Sequence, residues 1–461
     1  MELEGKDVVV VGLARSGVAA ARLCARHGAR VVATDRKGPR ELPPEVLSLE
    51  KEGVRLELGG HRLETFTSAS MIVVSPGVPS TMPELRAARA AGVPVVAELE
   101  LGFRMLKGTV AAITGTKGKS TTTAALGAML REAGGDVRVG GNIGQAVTGI
   151  VDGSTDATTF VLEVSSFQLE GTDTFRPTVA VFLNLSADHL DRHASFEEYA
   201  QAKARIFANQ GPDDWAVVNA DDPTVLELAR QGRARTVAFH PSARASEGAF
   251  FDGSMARLKT AGLDDALFDR ADVQLPGDHL ASDMLAAATA ARLMGAPVEA
   301  IRRAVRSYTG VEHVLERVAD IGGVLFFNDS KATNVEAARK SLEAFPGVVL
   351  PIIGGRYKGG DFADLAPALR AHGKAVLAIG EATPRIVAAL AAVVPVVACD
   401  SMREAVERGL ALATPGDTVV LAPACSSFDM FEDYAARGRA FKDEVRRLAA
   451  ATAAPPEKRS G

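Results

Sequence analysis

The sequence is poor in cysteine. Its 461 residues include three cysteines, Cys24, Cys399 and Cys425, which lie far apart and form no CxxC pair. Disulfide frameworks and zinc sites need several cysteines at short, regular spacing. Neither is expected here, and a reducing cytoplasm suits the chain best.

Long apolar runs are also missing. The longest, from Ile386 to Cys399, is broken by Pro395 and is too short to cross a bilayer. The N-terminus has no charged segment followed by an apolar one, the pattern of a secretory signal. We therefore expect no membrane partner, no export and a cytoplasmic location.

No excess of positive charge is present either. The chain carries 52 Lys+Arg against 57 Asp+Glu, a net charge of −5. This argues against non-specific nucleic-acid binding, which selects for a basic face. It leaves room for a small anionic ligand, which needs only a few well-placed donors. With 47% hydrophobic and 24% charged residues, the composition is that of an ordinary globular protein and excludes wholesale disorder.

Short Val- and Ile-rich runs alternate with Ala/Leu/Arg stretches of helical period, the pattern of βαβ units and parallel sheets. The pattern predicts an α/β protein of three domains: a Rossmann-like N-terminal domain, a central P-loop ATPase-type domain with a parallel sheet, and a Rossmann-like C-terminal domain. We place them at residues 1–98, 99–310 and 311–449, with a disordered tail at 450–461. The polar stretch at about 240–275 is expected to form loops and short strands.

The strongest local signal is a glycine-containing loop between a predicted strand at 109–114 and a helix. It consists of Gly115, Thr116, Lys117, Gly118, Lys119, Ser120 and Thr121. Glycines let successive backbone N–H groups turn inward around phosphate oxygens, and the helix adds its positive dipole end. Lys119 would reach the β- and γ-phosphates of a nucleotide, and the Ser120 hydroxyl would bind Mg²⁺. The loop is shorter than the usual pattern, and a glycine-rich turn without a ligand is the alternative.

Polar residues follow the next predicted strands. Glu163 lies in an otherwise apolar strand, where it is either a Mg²⁺ ligand or a salt-bridged structural residue. Asn142 supplies an amide in a glycine turn, and Asp188 with His189 could bind metal or transfer protons at a strand end. Lys203 lies on a predicted helix at 195–208, where periodicity alone indicates a solvated lysine.

Two further groups of turns stand at predicted strand ends. In the first domain, Gly12, Ser16 and Gly17, with Asp35 and a second turn at Ser75 and Gly77, suggest nucleotide binding. In the third domain, runs around Asp329–Asn334, Gly354–Gly360 and Ala422–Asp429 should converge on one sheet edge and would suit a small dicarboxylate. Structural turns are the alternative for each of these runs.

Together and in this order, the phosphate loop, the Gly141–Gly144 turn, the Glu163 strand, the Asp188–His189 turn and the Asp329–Asn334 run resemble the Mur ligases over nearly the whole chain. These are ATP-dependent amide ligases of cell-wall precursor synthesis. Within the family, the third-domain motifs DSKATN, GGRYKGGD and PACSSFD are similar to those of the members that add D-glutamate. The resemblance implies ATP and two Mg²⁺ ions as cofactors, and UDP-N-acetylmuramoyl-L-alanine and D-glutamate as substrates. We expect a monomer.

The resemblance also implies a role for individual residues. The nucleotide would bind Gly115–Thr121 and Asp329, with Lys119, Asp188, His189 and Lys203 acting in catalysis. The metal ligands would be Ser120, Glu163, His189 and Lys203, the last as a carbamate. The UDP-linked substrate would contact Gly12, Ser16, Gly17, Asp35, Ser75, Gly77, Asn142 and Gln168. D-Glutamate would bind Lys331, Thr333, Lys358 and Ser427.

The mechanism expected is a ligation in two steps through an acyl phosphate, with Asp188 and His189 as candidates for accepting the proton of the incoming amine. Two other classes remain open from the residues alone. One is a nicotinamide-dependent oxidoreductase, based on the first-domain turn, which would leave the 113–121 loop unexplained. The other is a nucleotide-gated binding scaffold, which would release no phosphate.

Overall fold

The computed structural model describes residues 1–186, 192–193, 195–274 and 277–453 of the chain. The chain forms two compact units, one of residues 1–272 and 282–306, the other of 273–281 and 307–461. Two β-sheets belong to the first unit and a third to the second. None of the described helices is both long and apolar enough to span a lipid bilayer.

The first sheet is entirely parallel and has the strand order β3-β2-β1-β4-β5. Its strands are β1 Asp7–Val11, β2 Arg30–Asp35, β3 Arg55–Leu58, β4 Met71–Val74 and β5 Val95–Ala97. Its helices are α1 Arg15–Arg26, α2 Pro44–Ser48, α3 Leu63–Thr67, α4 Pro83–Ala90 and α5 Glu98–Met105. The direction of winding reverses between β1 and β4, and the crevice outside such a reversal is where Rossmann-like sheets bind ligands.

The second sheet has nine strands in the order β14-β13-β12-β11-β10-β9-β6-β8-β7. These are β6 Thr109–Thr114, β7 Asp136–Gly141, β8 Thr158–Glu163, β9 Val179–Phe182, β10 Trp215–Asn219, β11 Arg235–His240, β12 Gly248–Asp252, β13 Met255–Thr260 and β14 Leu263–Asp269. All neighbours from β7 to β12 pair in parallel, whereas β13 and β14 are antiparallel. Helices α6 Lys119–Glu132, α7 Ser166–Glu170, α8 Phe196–Ala204, α9 Pro223–Arg230, α10 Asp278–Leu293 and α11 Val298–Ser307 follow its strands.

Local sequence explains where several of these helices begin. Ser195 caps α8 by accepting the N–H of Glu198, and Asp222 caps α9 ahead of a proline at its first position. Helix α7 begins with a capping box, in which Ser165 and Gln168 each bond to the other's backbone. These caps place α7, α8 and α9 beside the carboxyl ends of the strands that precede them.

The third sheet has the order β15-β16-β20-β17-β18-β19, and only β15 is antiparallel. Its strands are β15 Glu316–Ile321, β16 Val324–Asn328, β17 Val349–Gly354, β18 Val376–Ile379, β19 Val396–Ala398 and β20 Thr418–Leu421. Helices α12 Val335–Glu343, α13 Ala366–His372, α14 Thr383–Leu390, α15 Met402–Leu412 and α16 Tyr434–Ala453 accompany them. An apolar core lies on each face of the sheet, as expected when helices cover both sides.

The three sheets with helices between their strands confirm the predicted α/β fold class. The structure adds detail at two segments of the chain. The stretch at about 240–275, expected to form loops and short strands, contains three consecutive strands, β12, β13 and β14, that pair antiparallel and extend the sheet. Residues 450–453, which we assigned to the tail, are the end of α16. The rest of that tail, 454–461, lies outside the described residues.

Candidate active site

The predicted phosphate loop connects the end of β6 to the start of α6. Gly115 and Gly118 have φ values of +152° and +81°, which residues with a side chain rarely adopt. The Lys119 ammonium is folded back over the loop and donates to the carbonyl oxygens of Gly115 and Thr116, at 3.0 and 2.8 Å. A loop of this shape at a helix N-terminus is suited to a phosphate chain.

Asn184 holds the loop in place, a role that the sequence analysis missed. Its side-chain oxygen accepts the backbone N–H groups of Thr116 and Lys117, and its amide donates to the Lys117 carbonyl. Asn184 follows β9, which pairs directly with β6, so the two strand ends lie side by side. A polar residue immediately after an apolar strand was the available signal.

Ser120, Glu163 and Asn142 form a hydrogen-bonded chain beside the loop. The Ser120 hydroxyl donates to Glu163 Oε2 at 2.6 Å, and the Asn142 amide donates to Glu163 Oε1 at 2.7 Å. Glu163 is 2% exposed and forms no salt bridge within the described part of the chain. Within the described residues, no ion pair supports the salt-bridged structural alternative. A buried carboxylate with neutral partners, next to a hydroxyl, is a donor set that fits Mg²⁺.

Lys203 is 2% exposed, so the solvated lysine indicated by helix periodicity is wrong. Its ammonium donates to the carbonyl of Gly115 at 2.8 Å and lies 4.8 Å from the ring centre of Tyr199. The side chain thus reaches the phosphate loop from α8. Two of the four predicted metal ligands, Ser120 and Glu163, are in contact with each other, and Lys203 shares the Gly115 carbonyl with Lys119.

Three predicted residues cannot be placed in this arrangement. Asp188 and His189 lie outside the described residues. Gln168 is described, but it is buried and its side-chain oxygen accepts from Ser165 in the capping box of α7. No cluster of three or more His, Cys, Asp or Glu side chains suited to a metal occurs among the residues that the structure describes.

Asp283, on α10, packs against the phosphate loop. A Cβ atom at Gly118 would overlap its carboxyl group, so only glycine fits this approach. Burial raises the pKa of Asp283 to about 7, while its contact with Thr122 acts in the opposite direction. This side chain is therefore largely a neutral carboxylic acid below pH 7.

The predicted first-domain turns meet at the crevice between β1 and β4. The Ser75 hydroxyl donates to the Gly12 carbonyl at 2.7 Å, and a Cβ atom at Gly17 would overlap that same carbonyl. Asp35 accepts the N–H of Leu13 at 2.7 Å, which holds the first turn against the end of β2. Gly12, Gly17, Asp35 and Ser75 are thus brought together as predicted from the strand ends.

Arg15 connects this crevice to the second sheet and was not predicted. It is the first residue of α1, lies next to Ser16, and is exposed. Its guanidinium donates to the Gly144 carbonyl at 2.8 Å, in the turn that carries Asn142. The two turns expected to bind the UDP-linked substrate are therefore joined by a cation.

The predicted residues of the second unit also lie at strand ends. Lys358 Nζ is 3.4 Å from Thr333 Oγ1. The loops after β17 and β20 are joined by a reciprocal pair of backbone hydrogen bonds between Arg356 and Ser426, next to the buried Ser427. Burial raises the pKa of Asp329 to about 6. The Lys358 ammonium, the Thr333 hydroxyl and the loop that carries Ser427 thus lie at the same edge of this sheet, as predicted.

Arg437, which the sequence analysis missed, lies beneath these loops. It is 1% exposed and donates to Ser330 Oγ at 3.0 Å, to the Ser330 carbonyl at 2.9 Å and to the Cys425 carbonyl at 3.1 Å. Burial lowers its pKa to about 10. One guanidinium therefore fixes the Asp329–Asn334 run and the Ala422–Asp429 run relative to each other.

A loop shaped for a phosphate chain, with the Ser120 hydroxyl and the buried Glu163 carboxylate beside it at the ends of parallel strands, is typical of a class of nucleotide-dependent enzymes. Three family comparisons narrow this class. The chain matches the Mur ligase MurD-like N-terminal domain at residues 6–97, the Mur ligase middle domain at 113–291, and the Mur ligase glutamate ligase domain at 315–425. The chain belongs to the Mur ligase family.

Individual relatives cover the chain almost completely. It is 48% identical to the UDP-N-acetylmuramoylalanine–D-glutamate ligase of Acidobacterium capsulatum, over 96% of this chain and 97% of that protein. It is 44% identical to the protein of the same name from Desulfosudis oleivorans, over 97% and 98%. The crystal structure of the UDP-N-acetylmuramate–alanine ligase of Thermotoga maritima has a TM-score of 0.56 at 19% identity, over 97% of this chain and all of that one. This last likeness shows the shared fold.

Proposed function

We propose that this chain is an ATP-dependent ligase that joins D-glutamate to UDP-N-acetylmuramoyl-L-alanine in peptidoglycan precursor synthesis. The observation that carries the proposal is the phosphate loop of Lys119 with the Ser120–Glu163 pair beside it. It occurs in a chain that resembles D-glutamate ligases over its full length. Phosphoryl transfer depends mainly on positioning and on offsetting negative charge, and this site supplies both.

The reaction takes two steps. The carboxylate of the UDP-linked L-alanine attacks the γ-phosphorus of ATP, forming an acyl phosphate and releasing ADP. The neutral amine of D-glutamate then attacks the acyl carbon. The new C–N bond forms, phosphate leaves, and the amine proton passes to a base. Lys119 offsets charge on the phosphate chain in the first step, and Asp188 and His189 are our candidates for the base in the second.

Two Mg²⁺ ions are part of the proposal. Ser120 and Glu163 would hold one of them, and His189 with Lys203 the other. When bound, these ions would neutralise charge on the transferred phosphoryl group. For this role the Lys203 ammonium must first lose one proton, and the neutral amine must then add to CO₂, forming a carbamate and releasing a second proton. This turns an ammonium into an anionic oxygen ligand.

We propose that the three sheets are three domains, with boundaries near residues 98 and 310. Each of the remaining ligands is assigned to residues at the strand ends of one sheet. The first-domain crevice at Gly12, Ser16, Gly17, Asp35, Ser75 and Gly77 takes the UDP group, and Asn142 and Gln168 take the muramoyl part. In the third domain, Lys331, Thr333, Lys358 and Ser427 take the D-glutamate carboxylates, with Asp329 next to the nucleotide. We further propose a monomer that acts in the cytoplasm, where its three buried free thiols stay reduced.

Phosphate release tests the function directly. We expect release to require ATP, UDP-N-acetylmuramoyl-L-alanine and D-glutamate together, with one amide formed per phosphate. Lys119→Ala should abolish release but leave binding of the UDP-linked substrate nearly intact, because Lys119 belongs to the nucleotide loop. Lys259→Ala, an exposed lysine on β13 outside the loop, is the matched control and should leave phosphate release unchanged.

The other two classes predict different results in the same assay. A nucleotide-gated scaffold would bind ATP without releasing phosphate in response to the two other substrates. An oxidoreductase would bind a nicotinamide cofactor, which a fluorescence titration detects. Ligation that survives Lys119→Ala would mean that the phosphate loop is misassigned.

A further inference from the structure

A buried histidine lies between the helix that carries Gln168 and the helix that carries Lys203. His193 Nε2 is 3.0 Å from the hydroxyl oxygen of Ser166, and His193 Nδ1 is 3.3 Å from Glu170 Oε1. Ser166 and Glu170 are the first and last residues of α7. A single imidazole thus contacts both ends of this helix.

The contacts run from a serine through a histidine to a glutamate, as in a nucleophilic triad. In this protein, however, the three side chains are closed to substrate. Ser166 is 1% exposed and His193 is 2% exposed. A nucleophile must reach a reacting atom, and this hydroxyl is covered. The arrangement is therefore suited to holding α7 in position and not to attacking a substrate.

The imidazole ring also contacts two aromatic side chains. The ring of Phe167 stacks on it with centroids 5.2 Å apart and planes 5° apart, and the ring of Tyr199 lies 5.3 Å away on α8. The Tyr199 hydroxyl is 3.1 Å from Thr116 Oγ1 in the phosphate loop, and the same ring lies under the Lys203 ammonium. Through its ring, His193 thus contacts Tyr199, which contacts the phosphate loop. Through its polar atoms, His193 contacts α7.

We propose that His193 is a positioning residue that works in two separable ways. Its Nε2 contact with Ser166 fixes α7, while Nδ1 lies near Glu170 without a hydrogen-bond partner among the described residues. Helix α7 carries Gln168, which the proposed function assigns to the UDP-linked substrate. The imidazole ring of His193 fixes Tyr199, and with it the Thr116 segment that binds ATP. The inference rests on the proposed function for the identity of the two substrates, but its geometry lies entirely within the described contacts.

Two substitutions separate the two contributions. His193→Phe keeps an aromatic ring against Phe167 and Tyr199 but removes both polar contacts. His193→Gln keeps an amide for Ser166 and Glu170 but removes the ring. We expect His193→Phe to raise KM for UDP-N-acetylmuramoyl-L-alanine about tenfold, equivalent to about 1.4 kcal/mol, with KM for ATP changed less than about twofold. His193→Gln should do the reverse, and KM for D-glutamate should stay constant in both.

Two controls accompany these variants. Ser166→Ala removes one polar contact of the imidazole and should reproduce the His193→Phe pattern in a milder form, even where the larger change impairs folding. Thr172→Val removes another buried hydroxyl near α7, one that donates to the Leu169 carbonyl and not to His193. It should leave all three KM values unchanged, as should His372→Phe, at the end of α13.

The inference is overturned if both His193 variants raise the same KM by the same factor, or if they lower only the melting temperature. Wild-type turnover is measured first and decides the proposed function by itself. Should wild-type protein form no product, the same reciprocal pattern is sought in calorimetric titrations with ATP and with UDP-N-acetylmuramoyl-L-alanine. A missing pattern there would overturn the positioning role independently.

Discussion

The hydroxyl of Ser120 donates to the buried carboxylate of Glu163 at 2.6 Å, although the two residues are 43 positions apart in the chain. Ser120 belongs to the first turn of α6, and Glu163 is the last residue of β8. Strands β6 and β8 are parallel neighbours, so their carboxyl ends lie together. The contact places a carboxylate oxygen beside the loop, where the proposed function requires a cation.

The substitution Glu163→Gln tests whether the negative charge of the Glu163 carboxylate is needed for catalysis. Glutamine keeps the size of the side chain and can still accept from Ser120, but it carries no charge for a cation. We expect kcat to fall about 100-fold, equivalent to about 2.7 kcal/mol of barrier. The melting temperature should not fall, because a buried carboxylate with no cationic partner among the described residues is replaced by a neutral amide. Glu227→Gln, in an exposed ion pair on α9, should leave kcat unchanged, and unchanged kcat in Glu163→Gln would contradict the metal role.

Lys203→Ala should lose most ligase activity, and small carboxylates added to the assay should restore part of it. The reason is that a carboxylate can occupy the space of the shortened side chain and supply the anionic oxygen. Rates are compared with and without added acetate or formate. Lys259→Ala, on β13 and away from the phosphate loop, is the control. Full activity of Lys203→Ala without any additive would remove the carbamate role.

Arg15→Gln tests the cation that bridges the two substrate turns. Because Arg15 stands at the N-terminus of α1 beside Ser16, we expect its charge to act on the diphosphate of the UDP-linked substrate. Inhibition constants for uridine and for UDP are the measurement. UDP should bind about tenfold more weakly to the variant and uridine almost equally, a selective loss of about 1.4 kcal/mol.

The same comparison with Arg22→Gln serves as the control for Arg15→Gln. Arg22 lies on the same helix but pairs with Glu52, so neither ligand should be affected. An equal loss for uridine and UDP in Arg15→Gln would show that the substitution disturbs the turn and not a charge contact.

Asp283→Asn should make stability less dependent on pH. The Asp283 pKa is raised from 3.8 to about 7 in the folded protein, so the folded state binds a proton that the unfolded chain releases. Below about pH 4 both states are protonated and the carboxyl group costs nothing. Between about pH 4 and pH 7 the wild type loses stability as pH rises, by up to about 1.4 kcal/mol per pH unit.

Melting temperatures measured at pH 4, 6 and 8 check this expectation. Asparagine has nearly the same shape and no titrating group, so the variant should gain on the wild type as pH rises. Asp213→Asn, an exposed aspartate, is the control and should show no such gain. A pH-independent difference between Asp283→Asn and the wild type would contradict the assignment of a neutral carboxyl group beneath Gly118.

Much of the fold was predictable because apolar runs of strand length are visible without tertiary information. The strand at 7–11 is five residues, four of them valine, and the predicted bounds are those of β1. Three strands that the sequence pattern does not predict, β3, β7 and β15, have a different composition. Strand β3 reads RLEL at a sheet edge, β7 contains two glycines, and β15 has charges at three of its six positions. Such strands are held by their neighbours in the sheet and carry little pattern of their own.

Some residues of the candidate site could likewise be identified from the sequence, and others could not. The phosphate loop was identified from a motif within nine consecutive residues, because glycine, lysine and serine have local roles there. Lys203 was not identified from its helix, since an isolated lysine at a helical position normally faces water. It is buried because its side chain reaches Thr114 and Gly115 at the end of β6. Asn184 and Arg437 were missed because their hydrogen bonds connect segments that the sequence keeps far apart.

By itself the sequence determined the α/β class, the position of the candidate phosphate loop between a strand and a helix, and the family to which the chain belongs. These depend on local propensity and on short motifs, whose physics acts over a few neighbouring residues. Only the tertiary structure decided that Glu163 has no cationic partner among the described residues, that Asp283 packs beneath Gly118, and that His193 joins two helices. Each of these depends on burial and on distances between remote segments, which are set only when strands pair and helices pack.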